Sequence, residues 1–417
     1  MRKYLRNNGL FFQLAASFLL FFQQSFGVSS WESGLRKCVL SNGVDVILHE
    51  NFRMPVVVVG IIFHVGYFHA PISKQGVNDL VAANLIDQKS RMKLSDVGVL
   101  YEINSYGAHT EILAMMAPKH LKRFFQIISE SSFSVKNLET LKKQMCVNNK
   151  LARYCFEDAV HNEIFSNIKY KNSNFGGAVF NEQALSAVSS ADVKDFFEEH
   201  YKKCHLSVVI CGAVGHKNLI KILQSTVCNL PPRRKVSHDR CLDRIPKNIT
   251  IESKYAGRSV RYFYKISKED VPLFEAFSKI LNYELFRFFE KTNKIIFDYK
   301  NHNIATNGDC ICGIVFYPKS DVSLSDFQRA YEIFVHRLCG QEFSEDDLEK
   351  ARRYADYSRQ FLLGDLYDVY RRVKNDYLNG LNSETEIHNS KQFNSFAEKL
   401  FRQNLTLQII TRYRPDK

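Results

Sequence analysis

The sequence is poor in the residues and motifs that mark several classes of protein. Glycine and proline number 19 and 9 among 417 residues, which excludes collagen-like, fibrous and low-complexity chains. No Cys-x-x-Cys pair, glycine-rich phosphate loop or Gly-x-Ser-x-Gly nucleophile elbow occurs. Ten cysteines are too sparse for a small disulfide scaffold. The apolar fraction of 45% can still build packed cores, and at roughly 150 residues per domain the length suggests two or three domains.

The charge is unbalanced, with 57 Lys and Arg against 44 Asp and Glu, a formal net charge of +13. This excess raises the alternative of a basic nucleic-acid-binding protein. Basic residues cluster modestly between Arg233 and Lys247, but without interleaved aromatic residues or a recognisable binding module. We therefore expect no nucleic-acid partner and interpret this cluster as a solvated segment.

The amino terminus has the three parts of a secretory signal peptide. Arg2, Lys3 and Arg6 precede the apolar residues 10–22, and Ser25 and Gly27 supply small residues for cleavage. The apolar run is shorter than the about 20 residues that span a bilayer, although an uncleaved anchor is an alternative. Residues 1–27 are thus predicted to be a signal peptide, with no integral membrane span after its cleavage. Abundant Phe, Tyr, Lys and Asn are compatible with an AT-rich bacterial genome, so the expected location is the periplasm.

Strand-like runs alternate with long helical patterns on both sides of a proline-bounded basic segment, residues 230–247. Each half closes with a Phe- and Glu-containing helix that leads into a final strand, offset by about 200 residues, which indicates an internal duplication. The predicted fold is α+β, with two similar domains that each pack long helices on a mainly antiparallel sheet. The predicted domains are residues 28–229 and 248–417, joined by a linker at residues 230–247. Predicted helices include residues 76–88, 135–165 and 345–378, and predicted strands include residues 55–65, 206–211 and 311–317.

Several stretches, in this order and spacing, resemble the pitrilysin/insulinase family of metallopeptidases in the short form typified by mitochondrial processing peptidase. They are residues 40–48 around Asn42-Gly43, residues 55–66, the helix opened by Gly76-Val77, residues 98–110, and the closing helix and strand of residues 193–214. In that family the helix reads Gly-x-Ala-His-x-x-Glu-His. Its two His bind zinc, its Glu is the general base, and a second Glu roughly seventy residues later is the third ligand.

This chain departs from the family at all four of those positions, which align with Asp79, Ala82, Ala83 and Asn148. No His occurs between His69 and His109, so no shift of the alignment restores an imidazole on the helix. Asp79 has a structural role available as an acid in the first helical turn. The resemblance therefore implies a degenerate member with no catalytic residue at these positions, no metal site and no cofactor.

The family's substrate-handling positions are also altered. Its edge strand holds an extended substrate by β-augmentation, and the corresponding positions here are Glu102, Ser105 and Thr110. In the second half, Glu290 and Phe297 align with an Arg and a Tyr that reach the substrate in the family. An acid in place of Arg reverses the charge, and Phe in place of Tyr removes a hydrogen-bond donor.

Two-subunit members of the family combine an active subunit with a metal-free one. The resemblance thus implies a non-catalytic peptidase homologue. We expect it to be the partner or regulatory subunit of an active zinc peptidase, with which it would form a heterodimer, or else a protein that binds extended peptide. The alternative is an active zinc metalloendopeptidase with an atypical site, built from residues such as His161, Glu163 and His200, whose spacing does not match a known zinc motif.

Overall fold

In a computed structural model, the described part of the chain forms two large sheets covered by helices and one small two-stranded sheet. The structure describes residues 34–152, 169–170, 182–227, 242–244, 248–253, 258–267, 270–292, 296–305, 309–340, 343–362, 365–378, 387, 389–403 and 405–413. The predicted signal peptide, residues 1–27, lies outside this part of the chain. Within it, no helix is long and apolar enough to cross a membrane.

The first sheet has six strands in the order β1-β2-β7-β3-β5-β4. Its strands are β1 Leu35–Val39, β2 Asp45–Glu50, β3 Val57–Phe63, β4 Leu100–Ser105, β5 Thr110–Met116 and β7 Leu206–Gly212. All neighbours are antiparallel except β2 and β7, which are parallel. Strand β3 is apolar at nearly every position because both of its faces are covered: Val57 and Val59 face one core, and Val58 and Ile62 face another.

The second sheet repeats this topology with five strands in the order β11-β12-β10-β13-β9. They are β9 Asn248–Ser253, β10 Ser259–Ser267, β11 Ile296–Ala305, β12 Asp309–Pro318 and β13 Leu405–Tyr413. Strand β9 pairs in parallel with the closing strand β13, as β2 does with β7, and the other pairs are antiparallel. The predicted α+β class with mainly antiparallel sheets is confirmed, and the shared topology is what a duplication would produce.

Twelve helices are present in the described part of the chain. They are α1 Val77–Ala83, α2 Gln88–Asp96, α3 Leu121–Glu130, α4 Leu138–Ala152, α5 Glu182–Ala187, α6 Ser190–Phe196, α7 His216–Thr226, α8 Val271–Leu285, α9 Leu324–Cys339, α10 Glu345–Leu362, α11 Leu366–Leu378 and α12 Ser390–Glu398. Helices α6 and α12 each continue into a π-helical turn, Phe197–Tyr201 and Lys399–Gln403, before the closing strand of their half. This repeated feature matches the similar endings of the two halves in the sequence.

Three predicted helices differ in extent from the observed ones. The helix predicted over residues 76–88 ends at Ala83, because Asn84 Nδ2 donates to the Leu80 carbonyl and Arg91 Nη2 donates to the Ala83 carbonyl. The helix predicted over residues 345–378 is two helices, α10 and α11. The helix predicted over residues 135–165 is described only as α4, and residues 153–168 lie outside the described part.

Helix α11 belongs to the second half of the chain but packs on the first sheet. Its Leu366, Val369, Tyr370 and Val373 share a core with apolar residues of β2, β3, β5 and β7. The other face of that sheet is covered by α2, α3 and α7. Gly60 on β3 permits the close approach of α11, since a Cβ atom there would lie 1.7 Å from the Tyr370 hydroxyl oxygen.

The predicted linker and domain boundaries remain a prediction. Most of residues 230–247 lie outside the described part of the chain. Within this segment Leu242–Arg244 forms β8, which pairs with β6 Lys169–Tyr170 in a separate two-stranded sheet.

Candidate functional site

Helix α1 places the first three degenerate positions at one wall of a cleft. It begins after Gly76, whose φ of +89° is readily accessible to glycine, and a Cβ atom there would lie 2.7 Å from Leu185 Cδ1. Leu80 and Val81 are fully buried in the core between α1, α4 and α6. The apolar face of the helix is therefore intact, and Asp79, Ala82 and Ala83 lie along the cleft.

The cleft has a volume of about 750 Å³ and lies between α1, α2, the start of α4 and the edge strand β4. Charged residues of both signs line it: Asp79, Asp87 and Glu102 on the acidic side, and Arg91 and Lys136 on the basic side. Arg91 is committed to the structure, since its Nε donates to the Ile86 carbonyl and its Nη2 to the Ala83 carbonyl. The cleft is thus a mixed-charge recess beside β4, the last strand of the first sheet among the described residues.

Asp87 is also committed to the structure. It caps α2 by accepting the Ser90 backbone N–H, and further hydrogen bonds come from Ser131 and Ser132. These hydrogen bonds, led by the Ser90 N–H, hold the pKa of the Asp87 carboxyl well below its usual range. Asp87 is therefore tied both to its own turn and to the segment that follows α3.

A buried hydrogen-bond network that the sequence analysis did not identify joins α1 to the sheet. Asn78 is fully buried; its Nδ2 donates to Ser105 Oγ over 2.6 Å, and its Oδ1 accepts from the Tyr201 hydroxyl over 2.8 Å. Thr110 Oγ1 lies 2.7 Å from the Tyr201 hydroxyl and donates to the Val65 carbonyl. Asn78 occupies the Ala position of the family's motif, but its partners come from distant elements, so no local pattern in the sequence signals the network. The network joins α1 to β4 and β5.

The residues at the zinc positions do not fit a zinc ion. Ala82 and Ala83 have no donor atom, and a catalytic zinc needs three protein ligands. Burial raises the pKa of the Asp79 carboxyl, while hydrogen bonds from Ser105 and from its own backbone N–H act in the opposite direction. Asn148 is exposed on α4 and is not among the residues that line the cleft. No catalytic step through zinc can be derived from this arrangement.

The structure separates the three predicted edge-strand residues. Glu102 and Ser105 on β4 both line the cleft, and Glu102 is exposed, with Oε1 accepting from Asn104 Nδ2 over 2.8 Å. Thr110 lies on β5, is fully buried and serves the network around Tyr201. Glu102 and Ser105 therefore line the cleft, whereas Thr110 lies behind its wall.

The remaining candidate residues fall partly outside the described part of the chain. Glu290 lies in the π-helical turn Phe286–Thr292 and Phe297 in β11, but their side chains are not described. His161 and Glu163, from the atypical-site alternative, lie outside the described residues. His200 has its ring 6.2 Å from that of His69. Among described residues, no group of three or more His, Cys, Asp or Glu is arranged to hold a metal ion.

Comparison with known proteins gives a family match and many structural neighbours. Residues 187–354 match the profile of the peptidase M16 inactive domain. No curated protein matches the sequence.

Solved structures of M16 proteins share the fold over nearly the whole chain. A putative M16-like peptidase from Alicyclobacillus acidocaldarius is 10% identical, with a TM-score of 0.72 over 91% of this chain and 98% of that one. A peptidase M16 inactive domain from Pseudomonas fluorescens is 13% identical, with a TM-score of 0.69 over 92% and 99%. The periplasmic protease PqqL from Escherichia coli is 11% identical, with a TM-score of 0.69 over 91% of this chain and 48% of PqqL. At these identities the structural likeness establishes the fold.

Proposed function

We propose that this chain is a degenerate homologue of the M16, or pitrilysin/insulinase, peptidases. It acts without catalysis, as a peptide-holding partner of an active zinc peptidase. The proposal rests mainly on the residues that form the wall of the cleft. The fold and the recess are present, but Asp79, Ala82 and Ala83 stand where the family has two His ligands and the general base. A chain that keeps the recess and lacks these groups can bind what the family binds without hydrolysing it.

Extended peptide is the ligand that this recess suits best. Among the strands that the structure describes, β4 is the last of the first sheet, so within this part of the chain one of its edges offers unpaired backbone N–H and C=O groups beside the cleft. A peptide added along this edge would gain main-chain hydrogen bonds, and every second side chain would point toward the recess. Ala82 and Ala83 leave room there for a side chain of the peptide, with Glu102 and Ser105 at its flank.

The length of the chain supports association with a second protein of similar size and fold. It covers 48% of PqqL, a protein described as a periplasmic protease, so in that neighbour a unit of this size is joined to a comparable length of additional chain. We propose that this protein associates with a separate active relative in an arrangement of two such units. The signal peptide predicted at residues 1–27 would deliver it to the periplasm, where such a relative would be found.

Peptide binding is testable by blocking the recess. Fluorescence anisotropy of labelled, unstructured peptides should show saturable binding to the wild-type chain, and Ala83→Trp should weaken it at least tenfold by filling the recess beside β4. Ala191→Trp is the matched control, since Ala191 is exposed on α6 and does not line the cleft. Equal binding by the wild type and Ala83→Trp would contradict the placement of peptide in the recess.

The partnership is tested separately by co-purification of the tagged chain from its native host. We expect recovery of an M16 relative that carries an intact His-x-x-Glu-His motif. A chain that elutes alone as a monomer from such a preparation would contradict the partner role while leaving the peptide-binding result unaffected.

A further inference from the structure

One end of the first sheet gathers three connecting segments on the same side of the molecule. Strand register places Glu50 opposite Gly212, and Val57 opposite both Gly212 and Met116. The segments that follow or precede these residues therefore meet at this end: residues 51–56 between β2 and β3, residues 117–120 after β5, and residues 213–215 after β7. We refer to them, with the first two turns of α3 and with α7, as the loop end of the sheet.

The loop end exposes large apolar side chains. Phe52 is 65% exposed and Met54 is 40% exposed, both in the turn between β2 and β3. Leu100, 72% exposed, pairs with Met115 and so lies at the same end of the edge strand β4. Exposing three large apolar side chains to water at one end of a sheet is unfavourable. Such exposure is typical of a surface that contacts a membrane or an apolar partner.

The part of this surface around Phe52 and Met54 is basic, whereas the exposed acids Asp96 and Glu102 lie near Leu100. Residues 51–56, 117–126 and 213–226 contain no Asp or Glu at all. They contain six Lys and Arg residues, all exposed: Arg53, Lys119, Lys122, Arg123, Lys217 and Lys221. The nearest acid at the end of β2, Glu50, accepts the His216 backbone N–H over 2.8 Å and lies 3.6 Å from Arg36. Phe52 and Met54 therefore project from a group of positively charged side chains.

The start of the described chain lies at this end as well. Leu35 pairs with His49, and Gly34 packs against the Glu50 backbone. The predicted signal peptide, with its apolar residues 10–22, is thus joined to the folded part on the side that carries Phe52.

We propose that the loop end is a membrane-docking surface that takes the anionic headgroups and the acyl boundary of a phospholipid bilayer. Phe52 and Met54 enter the boundary between headgroups and acyl chains, and the surrounding Lys and Arg side chains contact lipid phosphates. Charge alone would suit any polyanion, but exposed Phe and Met at the centre of the basic field favour a partner that is acidic at its surface and apolar beneath. Docking in this orientation holds the protein peripherally, with no membrane-spanning helix needed from the described residues.

Depth-dependent fluorescence quenching tests the orientation in the full-length chain. The single tryptophan is Trp31, so a Trp31→Phe background gives one reporter at a time. Phe52→Trp should be quenched by brominated lipid in vesicles of phosphatidylcholine and phosphatidylglycerol. Ile333→Trp is the control, because Ile333 is 56% exposed on α9, in the second half of the chain. Quenching at position 52 and not at 333 is the expected result, and absence of quenching at position 52 in vesicle-bound protein would overturn the proposal.

Vesicle co-sedimentation tests the charge. Each Lys or Arg near an anionic surface contributes about 1 kcal/mol, so Lys122→Gln with Arg123→Gln should weaken partitioning about 30-fold. Arg329→Gln with Lys391→Gln removes the same two residue types from exposed sites on α9 and α12 and should leave partitioning unchanged. High salt should release the protein.

Two results would overturn the lipid proposal. One is equal binding to vesicles of phosphatidylcholine alone. The other is tighter binding to single-stranded DNA or polyglutamate than to anionic vesicles, with no effect of replacing Phe52 and Met54 by Ser, since a polyanion site needs no apolar contact.

Discussion

The docking of α11 on the first sheet depends on a buried ion pair, and Lys374→Met is expected to disrupt it. Glu111 on β5 is fully buried and Lys374 on α11 is 7% exposed, with 2.8 Å between Glu111 Oε2 and Lys374 Nζ. The Tyr370 hydroxyl also donates to Glu111 Oε1. Removing the cation leaves a buried carboxylate supported by hydroxyl donors, which costs about 3–5 kcal/mol for a pair of this kind.

A double-mutant cycle isolates the pair. Lys374→Met and Glu111→Gln each leave one partner uncompensated, whereas the double variant leaves two neutral side chains and should recover most of the lost stability. Urea unfolding followed by circular dichroism gives the free energy of unfolding for the wild type and the three variants. We expect a coupling energy of at least about 2 kcal/mol. Arg353→Met, which removes an exposed ion pair with Glu349, should cost less than about 0.5 kcal/mol.

Strict additivity of the two single substitutions would refute this reasoning. It would mean that Lys374 and Glu111 do not interact, and hence that α11 does not seal the first sheet as described. A destabilisation by Lys374→Met as small as that of Arg353→Met would have the same meaning.

Three further predictions concern other parts of the structure, and the free energy of unfolding is the measurement in each. Gly60→Ala places a Cβ atom 1.7 Å from the Tyr370 hydroxyl oxygen and should lower the free energy of unfolding by about 1–3 kcal/mol. Gly215→Ala is its control, because a Cβ atom there meets open space, and it should cost about 0.3 kcal/mol. Asn78→Ala removes a buried amide with partners on both sides and should cost about 1–3 kcal/mol; a cost near zero would show that the network does not hold α1. Burial raises the pKa of the Glu284 carboxyl from its ordinary value of 4.5 to about 7. Between these two pH values the folded state keeps a proton that the unfolded state has released, so the free energy of unfolding should fall by about 3 kcal/mol as the pH rises from 4.5 to 7. Glu284→Gln should reduce this dependence of stability on pH.

The parts of the fold that follow from local patterns were predictable. The β-branched run over residues 55–65 gives β3, and the Asn42-Gly43 signal marks the connection between β1 and β2, where Gly43 has a φ of +82°. The absence of His from the motif helix is a property of the sequence alone. Each of these depends on residues close together in the chain.

The features that escaped prediction depend on contacts between distant residues. The end of α1 at Ala83 is set by Arg91, eight residues later, which donates to the Ala83 carbonyl. The docking of α11 needs the missing side chain at Gly60, more than three hundred residues before Tyr370. Periodicity within a helix gives its apolar face but not the surface that the face will cover.

The absence of the zinc ligands and the general base from the candidate site was predictable from the sequence, but the hydrogen-bond network around Asn78 was not. Alignment with the family's motif located Asp79, Ala82 and Ala83, and the structure places all three on the cleft wall. The role of Asn78 depends on Ser105 and Tyr201, which reach it from other elements, so no local pattern reveals it. Thr110 keeps a family residue type but lies on β5 rather than on the edge strand, where its hydroxyl is buried beside that of Tyr201.

Zinc stoichiometry tests the central claim most directly. The full-length chain would be equilibrated with excess zinc, desalted, and its metal content measured by inductively coupled plasma mass spectrometry beside an active M16 peptidase treated in the same way. A chain whose cleft presents Asp79, Ala82 and Ala83 should retain no stoichiometric zinc. Retention of stoichiometric zinc that is lost on Asp79→Ala or Asn148→Ala would contradict the account.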